Sequence, residues 1–264
     1  MTVTAQKPGK LPGTRPDGAC SERDASARVQ EMFSRIASRY DFLNHFLSFS
    51  LDHVWRRRTA RRFREVLSRP ESEVLDLCCG TGDLAFALDR ARERLTQTAG
   101  YPRQFVFASD FAEPMLERAR NKSARRPAKV VFTAADSLQL PFPDGQFDLV
   151  TAAFGFRNLA NYEDGLREFA RVLKERGELG ILEFTEPESG PLAAVFRFYF
   201  RHMLPRLGGA ISGNHEAYSY LPASVSKFPS PSDLAAMMQR TGFTAVSWTA
   251  WNFGSVVLHT ARKE

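Results

Sequence analysis

Short apolar segments alternate with helical segments along most of this chain, beginning after Pro70. Five of the apolar segments end at an acidic or glycine-rich turn: EVLDLCC (73–79), QFVFASD (104–110), KVVFTAAD (129–136), FDLVTAAFGF (147–156) and GELGILEF (177–184). Continuous apolar strands that alternate with helices are typical of a parallel sheet covered on both faces. The alternation therefore predicts an α/β fold.

Two further apolar segments, VSWTAW and SVVLHTA, lie near the end of the sequence. Asn252, Phe253 and Gly254 separate them, and a connection of this length fits a hairpin. We therefore expect a seven-stranded, mostly parallel sheet with helices on both faces and an antiparallel hairpin at one edge.

The N-terminal residues differ in composition from the rest of the chain. Residues 1–24 are rich in Pro, Gly, Lys, Thr and Ser and hold almost no large apolar side chain, so we expect a disordered tail. Residues 25–264 are expected to form a single domain. Within it, residues 25–69 have helical periodicity and residues 185–228 form an aromatic insertion.

Cysteine usage and hydropathy set the expected class and location. The chain has three cysteines, of which Cys78 and Cys79 are adjacent, and this arrangement fits neither a disulfide framework nor a metal site. No segment approaches the roughly 18 to 20 apolar residues that a membrane-spanning helix needs. We therefore expect a cytoplasmic protein that holds no metal.

The net charge of +6 is concentrated in the first 70 residues, which carry 14 basic and seven acidic side chains, whereas the remainder carries 22 and 23. Most of the excess lies in seven arginines: Arg56, Arg57, Arg58, Arg61, Arg62, Arg64 and Arg69. Helical periodicity predicts a buried face and an opposite, basic face, made respectively of Trp55, Thr59, Phe63 and Val66, and of Arg57, Arg61 and Arg64. We find no exposed aromatic residues interleaved with these arginines and expect no nucleic-acid partner.

A Gly-x-Gly sequence, Gly80 to Gly82 with Thr81 between them, joins the first apolar segment to a helical segment. Glycines at such a turn let the backbone approach a ligand, and the N-terminus of the next helix offers free N–H donors. A tight turn without a ligand is the simpler alternative. If a ligand binds, the pyrophosphate of NAD and S-adenosylmethionine are the two candidates.

Acidic residues beside this turn favour S-adenosylmethionine. Asp76 lies four residues before the first glycine and Asp83 directly follows the second. Their carboxylates would repel a diphosphate but attract a sulfonium and an amino group.

The ends of the next two segments point the same way. Asp110 ends the second segment, where a carboxylate can accept hydrogen bonds from ribose hydroxyls. Asp136 and Ser137 end the third, where a carboxylate can accept from an adenine amino group. Each acid could alternatively cap a helix, but three acids at successive strand ends favour a shared ligand.

Several motifs resemble those of one enzyme family. They are residues 40–55 (YDFLNHFLSFSLDHVW), 154–158 (FGFRN), and 171–174 (RVLK) leading to 183–185 (EFT). Residues 140–144 and 218–229 also fit, and the likeness spans residues 29–262. On these motifs the chain resembles the ubiquinone/menaquinone C-methyltransferases, within the class I S-adenosylmethionine-dependent methyltransferases. One departure is Asp52, where that family usually has histidine.

The resemblance implies a Rossmann-like fold and methylation of a polyprenylated quinol ring, with demethylmenaquinol as the expected acceptor. The expected cofactor-binding residues are Asp76, Gly80, Thr81, Gly82, Asp110, Asp136, Ser137 and Ala153. Arg157 and Asn158 are the expected catalytic residues, with Tyr40 supplied by an N-terminal helical cap. Methylation of a 2-polyprenyl-6-methoxybenzoquinol and a binding protein without activity remain alternatives.

A quinol substrate gives the basic helix a possible role. Arginines between Arg56 and Arg64 would hold the mouth of the pocket against an anionic membrane surface, although a merely solvated helix face is an equal alternative. The aromatic stretch after Pro191 could line a channel for the isoprenoid tail, or it could pack as a plain core helix or at the interface of a homodimer.

Overall fold

The computed structural model describes residues 13–16, 18–48, 50–187 and 215–264, and within these ranges it describes side chains except at 38–47, 215–219 and 221. Most of the expected aromatic insertion, residues 188–214, lies outside the described residues.

A seven-stranded sheet organises the structure. Its strands are β1 (Val74–Leu77), β2 (Val106–Asp110), β3 (Val130–Ala134), β4 (Phe147–Ala153), β5 (Leu173–Phe184), β6 (Phe243–Trp251) and β7 (Val256–Lys263). They lie in the order β3-β2-β1-β4-β5-β7-β6. The first five pair in parallel, whereas β7 pairs antiparallel with both β5 and β6. The expected mixed sheet and its edge hairpin are confirmed.

Eight α-helices are described in addition to the sheet. They are α1 (Glu22–Leu47), α2 (Leu51–Arg62), α3 (Arg64–Leu67), α4 (Asp83–Ala99), α5 (Glu113–Ala124), α6 (Tyr162–Val172), α7 (His215–Lys227) and α8 (Pro231–Arg240). Polar caps start two of them: the side chain of Asn161 accepts from the amide of Asp164 at α6, and that of Ser230 accepts from Asp233 at α8. None of the described helices is both long and apolar enough to cross a membrane.

The alternation of side chains along β1 divides the core between the two faces of the sheet. Leu75 belongs to a buried cluster with Phe169 of α6, whereas Val74 belongs to a second cluster with Leu88 of α4 and Phe63. Successive side chains of a strand point to opposite faces, so both faces of the sheet are covered by helices. This arrangement explains why the strands appear in the sequence as continuous apolar segments.

Of the expected disordered tail, residues 1–12 and 17 lie outside the described residues, whereas residues 13–16 form specific contacts with the rest of the chain. The amide of Thr14 donates to the carbonyl of Leu159 at 2.8 Å, and the guanidinium of Arg15 donates to the carbonyl of Ala160 at 2.7 Å. A Cβ on Gly13 would lie 2.1 Å from that same carbonyl oxygen, so only glycine fits here. Backbone pairing therefore holds this polar segment in place, and α1 begins three residues before the expected boundary.

The predicted buried and basic faces of the segment that contains α2 and α3 are confirmed, with one correction at Arg56. The residues of the expected inner face are buried, and Arg57, Arg61 and Arg64 are exposed. Arg56, however, is buried and forms ion pairs with Asp52 and Asp83. It therefore cannot belong to the membrane-facing set of arginines that the sequence suggested.

A close approach between Phe63 and β5 yields a test of this packing. A Cβ on Gly180 would lie 2.5 Å from the ring of Phe63, well inside van der Waals contact. We expect Gly180→Ala to lower the free energy of unfolding by about 1–3 kcal/mol, since overpacking forces the ring or the strand to move. Urea denaturation measures the change. In a Phe63→Leu background the same substitution should cost less, and an equal cost in both backgrounds would contradict the proposed contact.

Candidate active site

A pocket lies at the carboxyl ends of the parallel strands and encloses about 590 Å³ of space that is continuous with solvent. The segments that follow β1, β2, β3 and β4 all contribute to its wall, and α1 adds Ser26 and Phe33 from above. In open α/β sheets, ligands bind at this end of the strands. The position of the pocket suits the binding of a small ligand.

The glycine-rich turn forms one side of this pocket through an unusual backbone path. Cys78 and Gly80 have positive φ values of 50° and 55°, and Gly82 has a φ of 85°. A Cβ on Gly82 would meet the rings of Phe86 and Phe132 at 3.0 and 3.1 Å. Left-handed backbone and close packing together require glycine here, and the turn leaves the amide of Gly80 directed towards β2.

Asp110 accepts that amide at the end of β2. One carboxylate oxygen accepts from the amide of Gly80 at 2.8 Å, and the other accepts from the amide of Ala112 at 2.9 Å. Burial nevertheless raises the pKa of Asp110 to about 6, because the desolvation of the carboxylate outweighs both hydrogen bonds. A buried carboxylate on the wall of a pocket is well placed to bind hydroxyl or cationic groups.

Asp76 forms a second acidic centre beneath the glycine-rich turn. Its Oδ1 accepts from the hydroxyl of Thr151 on β4 at 2.8 Å. Burial raises the pKa of Asp76 to about 7, and the nearby Asp110 raises it slightly further. Two carboxyl groups that are costly to ionise would be stabilised in their charged form by a cation in the pocket.

Asp136 and Ser137 line the pocket after the end of β3. Asp136 lines the pocket, and its Oδ1 accepts from the amide of Leu138 at 2.9 Å. Ser137 is buried, and its hydroxyl oxygen lies 3.4 Å from the sulfur of Cys78. The segment after β3 is thereby tied to the glycine-rich turn.

Arg157 lies behind the pocket wall in a buried ion pair. Its Nη1 donates to Glu183 at 2.6 Å and to the carbonyl of Phe154 at 2.5 Å. Glu183 also accepts from the backbone amide of Arg157 at 3.2 Å. The pair joins the ends of β4 and β5, and the guanidinium is held rigidly.

Asn158 faces the pocket and belongs to a separate hydrogen-bonded chain. The hydroxyl of Tyr220, on α7, donates to the side-chain oxygen of Asn158 at 3.0 Å. The same hydroxyl lies 3.1 Å from that of Thr14 in the N-terminal segment. Three distant parts of the sequence therefore meet at the wall that Asn158 lines.

The structure brings together only part of the expected site. The expected residues that line the pocket are Gly80, Asp110, Asp136, Ser137 and Asn158. The expected residues that are described but do not line the pocket are Asp76, Thr81, Gly82, Ala153 and Arg157. Thr81 accepts from the ammonium of Lys122 at 2.8 Å, and Ala153 packs in an apolar cluster. The side chain of Tyr40 lies outside the described residues.

Sequence reasoning missed Glu183, Tyr220 and Thr14 as parts of this region. Glu183 and Tyr220 both lie in motifs that carried the family resemblance, so a signal was present for them. Thr14 lay in a segment that its composition assigned to a tail. Within the described ranges, no group of three or more His, Cys, Asp or Glu side chains is placed to hold a metal ion.

Comparison with known families decides the assignment. The model of the ubiE/COQ5 methyltransferase family matches residues 21–263, which is nearly the whole chain. The chain belongs to the ubiE/COQ5 methyltransferase family. Its N-terminal segment, α1 and the edge hairpin all fall within or next to the matched region.

Two relatives within the ubiE/COQ5 family are named demethylmenaquinone methyltransferase. The protein from Thermus thermophilus is 49% identical over 228 residues, which cover 86% of this chain and 98% of that protein. The protein from Deinococcus radiodurans is 47% identical over 233 residues, covering 88% and 91%. A relative from Geobacter sulfurreducens, 40% identical over 88% of its length and 89% of this chain, is named ubiquinone/menaquinone biosynthesis C-methyltransferase UbiE.

Solved structures agree with the fold of the ubiE/COQ5 family. The methyltransferase CalH in complex with SAH aligns with a TM-score of 0.58 at 17% identity, over 81% of this chain and 60% of that chain. A SAM-dependent methyltransferase from Aquifex aeolicus aligns with a TM-score of 0.55 at 18% identity, over 78% and 89%. The Rossmann-like methyltransferase fold expected from the resemblance is confirmed.

The two buried acids make stability depend on pH. Their pKa values are raised from 3.8 to about 7 and about 6, so the folded state binds their protons more tightly than the unfolded state does. Their contribution is fully present below about pH 4 and is lost as the pH rises towards 7. We expect Asp76→Asn and Asp110→Asn to remove this loss, as measured by urea unfolding at several pH values.

An exposed acid provides the control for this pH experiment. Asp164→Asn, at a half-exposed side chain on α6 that does not line the pocket, is measured at the same pH values as the matched control. Buried His259, whose pKa is lowered to about 4, acts in the opposite direction, so each variant is compared with the parent protein. Parallel slopes for the parent protein and Asp76→Asn would show that this carboxyl is not perturbed.

Proposed function

We propose that this protein transfers the methyl group of S-adenosylmethionine to a ring carbon of a polyprenylated quinol, converting demethylmenaquinol to menaquinol. Membership of the ubiE/COQ5 family and the names of its relatives support the reaction. The observation that carries the donor site is the carboxylate of Asp110, which is buried on the pocket wall and hydrogen-bonded to the amide of Gly80.

The residues present fit a cationic donor with a ribose. Asp110 is placed to accept from hydroxyl groups at the end of β2, and Asp136 lines the same pocket. Asp76 supplies a further buried acid below the turn. When bound, S-adenosylmethionine would supply an activated methyl group, and the positive charge of its sulfonium would favour the ionised form of these carboxyls.

The acceptor side must make a ring carbon nucleophilic. A phenol has a pKa of about 10, so the site has to stabilise the phenolate that activates the ring. The side-chain oxygen of Asn158 already accepts a hydrogen bond from the hydroxyl of Tyr220. Asn158 would therefore use its side-chain NH2 group to donate a hydrogen bond to a phenolate. Asn158 is therefore the described residue best placed to touch the acceptor.

Arg157 acts at longer range in this proposal. Its guanidinium is fixed by Glu183 and the carbonyl of Phe154, immediately behind the wall that Asn158 lines. Fixed positive charge in a poorly solvated region stabilises a developing anion without reorganisation. An arginine side chain keeps its proton at neutral pH and is a poor base, so Arg157 stabilises charge and a water molecule would carry the proton.

We also propose that the enzyme works in the cytoplasm against the membrane in which the isoprenoid tail dissolves. The exposed arginines of α2 and α3 support this contact. The homodimer expected from the aromatic insertion stays a prediction, as does a role for Tyr40 at the acceptor.

A direct assay tests the reaction and the donor site together. Purified protein supplied with S-adenosylmethionine should methylate demethylmenaquinol, with product identified by mass spectrometry. We expect Asp110→Asn to weaken donor binding by at least about tenfold, since a charge-assisted hydrogen bond is worth about 1.5–3 kcal/mol. Calorimetry measures the affinity, and Asp164→Asn serves as the control.

Two results would contradict parts of this proposal. Binding of S-adenosylmethionine without methylation of any quinol would indicate a binding protein without methyltransferase activity. Faster turnover of a 2-polyprenyl-6-methoxybenzoquinol than of demethylmenaquinol would show that the benzoquinol is the preferred acceptor.

A paired substitution tests the charge of Arg157. Arg157→Gln alone would leave Glu183 buried without its cation, at a cost of about 3–5 kcal/mol in stability. In Arg157→Gln/Glu183→Gln, two neutral amides replace the ion pair, so stability should largely recover. We expect this double variant to bind the donor normally but to lose most of its turnover, as measured by kcat. Full turnover in a folded double variant would remove Arg157 from the mechanism.

A further inference from the structure

The most exposed large apolar side chain among the described residues is Phe253, at the tip of the β6–β7 hairpin. It is 78% exposed, whereas apolar side chains of comparable size elsewhere in the described ranges are less than half exposed. Scattered apolar side chains on a surface need no explanation. Phe253 differs because it projects from a turn whose backbone is specifically held.

Backbone geometry keeps Phe253 in this position. Asn252 and Phe253 have φ values of 49° and 59°, in the left-handed region that bulky residues avoid. The hydroxyl of Thr185 donates to the carbonyl of Gly254 at 2.5 Å, and the hydroxyl of Ser255 donates to that of Asn252 at 2.9 Å. The fold thus holds an aromatic ring out in solvent at a conformational cost that no burial of the ring offsets.

The hairpin tip is attached to α2 by two contacts. The indole nitrogen of Trp55 donates to the side chain of Asn252 at 2.8 Å. The guanidinium of Arg58 lies 5.8 Å from the ring centre of Trp251. Two independent contacts therefore make the tip and α2 parts of one surface.

We define the hairpin face as this surface, made of the exposed residues Leu51, Val54, Arg57, Arg58 and Arg61 of α2 with half-buried Trp251 and exposed Phe253 of the hairpin. Leu51 and Val54 are 38% and 40% exposed, and they point to the same side of the helix as the arginines. Asp52, the acidic residue of α2, is buried in an ion pair with Arg56, so it does not offset the charge of the exposed arginines.

We propose that the hairpin face docks on an anionic lipid bilayer, with Phe253 inserted at the level of the acyl chains and the arginines against the headgroups. Basic side chains flanking exposed apolar and aromatic ones are the combination that interfacial binding requires. A nucleic-acid duplex would use the charges but would gain nothing from the apolar side chains of Leu51 and Val54.

The hairpin face also lies close to the pocket. Trp55 packs its ring 5.9 Å from that of Phe154, which lines the pocket, and 6.0 Å from that of Phe184. A bilayer held against this face would therefore deliver a lipid-dissolved acceptor to the pocket, a consequence that rests on the proposed function. The docking gives a surface to the membrane contact proposed above, and it does not depend on the methyl transfer itself.

Vesicle sedimentation with the full-length protein tests the docking. Vesicles contain either equal parts of phosphatidylcholine and phosphatidylglycerol or phosphatidylcholine alone, without quinol. We expect binding to the anionic vesicles only. Arg57→Gln/Arg61→Gln should weaken it about 20- to 30-fold at low salt, at roughly fivefold for each arginine. Phe253→Ser should weaken it by at least about tenfold.

Matched controls separate this surface from general effects. Arg125→Gln/Arg126→Gln removes the same charge from exposed positions beyond α5, near the opposite edge of the sheet. Trp248→Ser removes an aromatic side chain that is 47% exposed on β6. Both controls should bind the vesicles as the parent protein does.

Three results would overturn the proposal. They are vesicle binding that is unchanged by Phe253→Ser, binding that is weakened equally by the controls, and tighter binding to a duplex oligonucleotide than to anionic vesicles. Methyl transfer to a short-tailed quinol in detergent solution should be unchanged in Phe253→Ser. That assay reports on the reaction alone, so a failure of docking and a failure of the proposed function are distinguishable.

Discussion

The hydrogen bond from the amide of Gly80 to the carboxylate of Asp110 links the turn after β1 to the end of β2. It forms only because the turn follows a left-handed path and because β1 and β2 pair in parallel, so that both strands end at the same edge. The buried acids and the pocket depend on that shared edge. The contact between the glycine-rich turn and Asp110 is thus a consequence of strand direction and of the left-handed backbone of the turn.

The sequence alone predicted that the acids at the ends of the parallel strands lie close together. Buried parallel strands leave continuous apolar segments, and acids that end such segments must meet at one edge, so the pattern of residues by itself places Asp110 and Asp136 together. The sequence does not predict that Arg56 and Arg157 are buried, because the residue type alone does not distinguish a buried arginine from an exposed one. Their environment depends on carboxylates, such as Asp83 and Glu183, that the sequence does not mark as partners.

Composition was a poor guide to the N-terminal segment for a similar reason. Residues 13–16 have almost no apolar side chains to bury, and segments of this kind are normally disordered. Here the contacts of Thr14 and Arg15 are made to backbone carbonyls of the loop before α6, and such contacts do not depend on hydrophobicity. The comparisons assign the family, whereas only the packing of the chain assigns this segment to the site.

The contact between Thr14 and Tyr220 joins residues that are 206 positions apart in the sequence. During synthesis, the groups around Asp110 can assemble once β4 has left the ribosome, because all of them precede it or lie in it. The wall around Asn158 has to wait for α7, near the end of translation. In a newly made chain, the residues around Asp110 would therefore be available well before Tyr220 could fix Asn158, which separates the two sides of the pocket in time as well as in space.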